Sequence, residues 1–62
     1  MKKVIYKVYA ITESFFEDFQ LENKLSLLVK DIQSRGREAI IHFSATDVYK
    51  SLLVEEVEYV KN

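Results

Sequence analysis

Few residues in this 62-residue chain have the chemistry for catalysis. His42 is the one side chain whose ordinary pKa lies near neutrality. It stands two positions before Ser44 and five before Asp47, so a base, a nucleophile and an acid can be drawn from one short stretch. On a strand, however, His42 and Ser44 are same-face neighbours on a shallow surface. No nucleophile elbow or oxyanion loop accompanies them. A surface or interface histidine accounts for the pattern, and no catalytic residue is assigned.

Asp47, Glu55, Glu56 and Glu58 make the main acidic grouping. Their spacing fits no calcium loop. A charged edge that resists aggregation explains them, as does an acidic patch that mimics DNA or meets a basic protein. A single histidine and no cysteine leave no zinc set. Neither a metal nor a cofactor is expected. The only glycine, Gly36, rules out a glycine-rich phosphate loop, and Arg35-Gly36-Arg37 ends a helix before it clamps a phosphate.

A basic and aromatic grouping lies near the N-terminus. Under strict alternation Lys3, Lys7 and Tyr9 share a strand face with Ile5, and Tyr6 adds a further ring. Such faces stack single-stranded bases in several folds. The RNP-like pattern is missing, and nine Lys and Arg are outnumbered by ten Asp and Glu. A nucleic-acid face of Lys3, Tyr6, Lys7 and Tyr9 is therefore the alternative function, and nucleic acid is not the expected partner.

The elements that must position these groups follow from hydrophobic periodicity. Lys3 to Ile11 alternates as a strand, with Val4, Tyr6, Val8 and Ala10 on one face and Ile5, Lys7, Tyr9 and Ile11 on the other. Both faces are at least half apolar, which suits a central strand or one whose second face meets a partner subunit. Thr12 to Asp18 is a transition in which Ser14 or Asp18 could cap a helix. Leu21, Leu25, Leu28, Val29 and Ile32 then form one helical stripe, predicting a helix from about Leu21 to Ser34. Leu27 points away from that stripe. Phe15, Phe16 and Phe19 lie off it as well, and Phe16 is a candidate aromatic anchor for a partner.

Gly36 is placed to end the helix in a left-handed conformation. Ala39, Ile41, Phe43 and Ala45 then alternate with Glu38, His42 and Ser44, a strand. Thr46-Asp47 is the expected turn. The last segment fits a strand with a phase slip near Glu55-Glu56, suggesting a bulge. As a helix capped by Asp47 it would instead make a β-α-β-α unit. Four valines and two tyrosines between positions 48 and 60 favour the strand.

The expected architecture is thus a single α+β domain over residues 1–62, a two-layer β-α-β-β unit with one helix on a three-stranded sheet. Should the first two strands be parallel, a right-handed crossover joins them. A domain this small buries only ~60% of its unfolded surface and usually needs a staple. With no cysteine, no metal set and 48% hydrophobic residues, the staple expected here is self-association. The surface left bare by the helix is expected to carry Ile5, Tyr9, Ile11 and Ile40, with some of Leu52, Val54 and Val60. With Leu27 and Phe16 these form the expected self-association or partner interface, and a two-fold dimer, meeting sheet to sheet or along an edge strand, is the simplest closed solution.

IIHFSAT at Ile40 to Thr46, YKSLLVEE at Tyr49 to Glu56, the N-terminal strand and the amphipathic helix resemble short β-α-β-β proteins of Gram-positive bacteria and their phages, including a sporulation-associated family. The resemblance spans the whole chain but rests on pattern, and the VEYVKN tail departs from it. It implies fold and size, carries over no site residue, and suggests the company of small phage inhibitors of host machinery. The functional expectation is a non-enzymatic, cytoplasmic protein-interaction module of bacterial or phage type. It would be a homodimer that binds, and in doing so inhibits, another protein. A ligand held at a dimer seam is a third reading. No segment has the length or apolar character of a membrane span or secretion signal.

Overall fold

The computed structural model describes residues 1–14 and 20–61. Four elements follow one another: β1 (Lys2–Ser14), α1 (Leu21–Ser34), β2 (Glu38–Ala45) and β3 (Tyr49–Val60). This is the expected α+β arrangement, one helix on a three-stranded sheet. The strand order is β1-β3-β2, and both outer strands run antiparallel to β3. β1 and β2 therefore point the same way with β3 between them, so the helical crossover skips one strand. The segment from Tyr49 to Val60, open at the sequence level between strand and helix, is the central strand.

β1 is an edge strand rather than a central one, and it runs further than Ile11. Thr12, Glu13 and Ser14 pair with Ser51, Lys50 and Tyr49, continuing the ladder through the stretch expected to be a transition. Ser14 accordingly ends a strand, and among the described residues the helix begins at Leu21. Gln20 occupies the N-cap without a side-chain cap bond, and its backbone N–H donates to Glu13 Oε1 at 3.0 Å. A carboxylate from β1 thus meets the positive end of α1. The alternative cap Asp18 lies outside the described residues.

The leucine stripe faces the sheet. Leu21 and Ile32 are buried, Leu25, Leu28 and Val29 are half-buried, and Leu27 is 69% exposed on the far side. Leu52 and Val54 of the central strand meet this stripe, and with Val57 they complete the buried apolar set. Full burial of side chains of this size is worth ~1.5–3 kcal/mol each.

The end of α1 is a Schellman motif. Arg37 N–H donates to Ile32 O and Gly36 N–H to Gln33 O, with Gly36 at φ +76°. The β2–β3 connection is closed at Thr46, whose backbone N–H donates to Tyr49 O at 2.7 Å. The Thr46 hydroxyl accepts from the N–H groups of Val48 and Tyr49. A threonine side chain thus closes a turn that contains neither Asn-Gly nor Asp-Gly.

Candidate interaction surfaces

The sheet has one irregularity, and it decides which side chains share a face. Ile5 pairs with Val57 and Lys7 with Glu56, so Tyr6 is an extra residue in β1. The phase slip expected within Glu55-Glu56 is thus located at the neighbouring step but carried by the partner strand. β3 itself keeps strict alternation. One inserted residue moves everything after it to the opposite face.

The helix side of the sheet consequently carries Lys7, Tyr9, Ile11 and Glu13 from β1. Lys50, Leu52, Val54 and Glu56 of β3 share it, as do Ala39, Ile41, Phe43 and Ala45 of β2. The open side carries Lys3, Ile5, Val8, Ala10 and Thr12 with Leu53, Glu55, Val57 and Tyr59, and Glu38, Ile40, His42 and Ser44. Five residues of the expected bare surface are therefore reassigned. Tyr9 and Ile11 swing to the helix side because of the bulge. Leu52 and Val54 are buried there, because even-numbered positions of β3 face α1. Val60 is on that side too by register and is half-buried. Ile5 and Ile40 are on the open side as expected, and Phe16 lies outside the described residues.

The bulge also dissolves the alternative nucleic-acid face. Lys3 is on the open side while Lys7 and Tyr9 are on the other, where the Lys7 ammonium sits 4.8 Å from the Tyr9 ring centre. Tyr6 is covered by the Arg37 guanidinium at 3.6 Å. The bulged Tyr6 ring thus stacks against an arginine and is not aligned with Lys7 and Tyr9.

Nor do the acidic residues form one patch. Glu55 and Glu56, adjacent in β3, face opposite sides. Glu56 is 2% exposed and is the hub of a polar cluster on the helix side. It accepts from Tyr9 Oη at 2.8 Å, from Arg35 through Nε at 3.2 Å and Nη2 at 2.5 Å, and from Arg37 Nη1 at 2.5 Å. Arg35 also reaches Asp31 and donates to the Tyr9 oxygen. Bonds from Arg35 and then Arg37 pull the Glu56 carboxyl from an ordinary 4.5 to about 2. Every donor aimed at this carboxylate comes from the chain itself, so the cluster locks the end of α1 and its exit turn onto β1 and β3.

Glu55 makes a smaller cluster on the open side. His42 Nε2 lies 2.9 Å and Lys3 Nζ 3.4 Å from the same oxygen, Oε1. These contacts, that of His42 foremost, lower the Glu55 pKa. Lys3 stands opposite Tyr59 yet reaches Glu55, so its stem crosses the row of Val57, which is fully buried. His42 is thereby a partner of Glu55, and Ser44 lies opposite Ser51. Among the described residues no group of three His, Asp or Glu side chains converges as a metal site.

Two surfaces remain after these contacts. On the open side Ile5, Val8, Leu53 and Tyr59 are each 44–52% exposed, with no described element over them. On the helix side Ile41 and Phe43 of β2 stand at the sheet edge, Phe43 62% exposed. Beside them a cleft of about 350 Å³ is lined by Leu21, Leu25, Phe43 and Leu52, with Glu22 and Lys50 at its rim. Sequence reasoning missed the importance of Glu13, Glu56 and Phe43. A glutamate among valines in a strand and two arginines around a helix-ending glycine were the available signal for the Glu56 cluster.

No family model, curated protein or solved structure matches the chain, and the likeness to small sporulation-associated proteins rests on sequence pattern alone.

Proposed function

We propose that this protein is a non-enzymatic interaction module that works as a homodimer and regulates another protein by occupying its surface. The observation that carries this reading is the uncovered side of the sheet, where Ile5 and Tyr59 near one end and Val8, Ala10 and Leu53 further along leave apolar side chains exposed on either side of Glu55. Exposed apolar side chains grouped on one face mark protein contact sites. Glu55, with His42 and Lys3 drawn onto it, lies between these apolar groups on the central strand and adds polar contacts to the same face.

Affinity capture tests this reading when wild-type and Leu53→Asp proteins are used side by side. Leu53 is half-exposed, so its replacement should leave the fold intact, which circular dichroism checks. A binding partner retained by the wild type and lost by Leu53→Asp supports the reading. Identical retention by both proteins contradicts it.

A further inference from the structure

The two edges of this sheet are not alike. β1 is guarded in the ways natural edges are guarded: it bulges at Tyr6 and carries Lys2, Lys3 and Lys7. β2 has none of these devices. Its register with β3 is continuous from Glu38 to Ala45, it contains no lysine and no proline, and among the described residues only β3 pairs with it. An unbulged edge eight residues long presents a row of backbone donors and acceptors without ladder partners. Its helix-side residues compound the exposure, since Ile41 and Phe43 are 46% and 62% exposed at that margin.

We propose that β2 is the self-association edge and that its occupant is the β2 strand of a second copy, paired antiparallel across a two-fold axis. The sheet then becomes six-stranded, in the order β1-β3-β2-β2-β3-β1, with both helices on one side. What this edge requires of a partner is an extended segment with apolar residues at alternate positions. β2 supplies that pattern itself, in Ala39, Ile41, Phe43 and Ala45. A two-fold through Ile41 sets Phe43 opposite the partner's Ala39, a large residue against a small one. The axis is isologous, so the assembly closes at two copies and no open filament follows. The open side of the sheet stays outside this contact and is doubled by it, leaving Val8 and Leu53 for the regulated protein.

This inference rests on the homodimer reading above and specifies its interface. Light scattering of four proteins separates the two: wild type, Phe43→Lys, Ile41→Lys and Leu53→Lys, each checked for folding by circular dichroism. The expected result is a wild-type mass near twice 7.3 kDa, kept by Leu53→Lys and halved by both edge lysines. Both edge positions are already about half-exposed, so a folded monomer is the expected state of these variants. Dimers that persist in folded Phe43→Lys and Ile41→Lys while Leu53→Lys falls to a monomer overturn the β2 edge and leave the homodimer standing. Dimers in all four proteins also overturn it. A monomeric wild type overturns both.

Discussion

The Tyr9 hydroxyl donates to Glu56 Oε1 at 2.8 Å, and Arg35 Nη2 donates to both oxygens of that pair. Edge strand, central strand and helix end meet at one point. Arg37 adds a bond to the other Glu56 oxygen while stacking on Tyr6. The bulge, the helix terminus and the buried carboxylate thus form a single device. Tyr6 is displaced toward Arg37 by the same insertion that brings Tyr9 round to face Glu56.

Acid should undo this device in a defined window. The folded Glu56 value of about 2 lies below the ordinary 4.5, so the folded state holds fewer protons between those limits. Stability from this carboxylate is fully present above pH 4.5 and is lost as pH falls toward 2. Glu55, also lowered, adds to the loss in the same direction. Thermal melts of Glu56→Gln should show a lower Tm at pH 7 and a flatter decline below pH 4.5 than the wild type. An unchanged decline would mean that other carboxylates govern acid unfolding.

Ile32 is fully buried at the junction of α1 and its Schellman turn. Ile32→Ala should cost ~2–5 kcal/mol, comparable to the ~3–5 kcal/mol that a core of this size supplies. The variant is expected to be largely unfolded at 37 °C by circular dichroism. Leu27→Ala, on the exposed side of the same helix, should stay within ~0.5 kcal/mol of the wild type.

Gly36 has φ +76° and open space where a Cβ would stand. The cost of Gly36→Ala is therefore conformational alone, ~1 kcal/mol. A domain of this size should lose roughly 4–8 °C in Tm. An unchanged Tm would show that the turn tolerates an ordinary backbone conformation.

The helix and β2 were legible in the sequence because each has one dominant period, whereas β3 stayed open between strand and helix and β1 runs past its expected end. The leucine stripe and Gly36 gave α1 its bounds, and the alternation from Ala39 to Ala45 gave β2. Which faces the residues of β1 occupy was not legible, since one extra residue at Tyr6 leaves no mark on composition yet reverses the sidedness of all that follows. That reversal moved Tyr9 and Ile11 under the helix and separated Lys3 from Lys7. Likewise Glu55 and Glu56 looked like one acidic patch because sequence adjacency hides opposite sides of a pleat. Strand order was hidden too. Only the pairing of Glu13 with Lys50 and of Ile41 with Val54 shows that β3 lies between its neighbours.

The central claim is that the chain is completed by a second copy of itself, and mass in solution tests it most directly. Multi-angle light scattering at micromolar concentration should give close to twice 7.3 kDa. A single species at 7.3 kDa, unchanged as concentration rises a hundredfold, would contradict it.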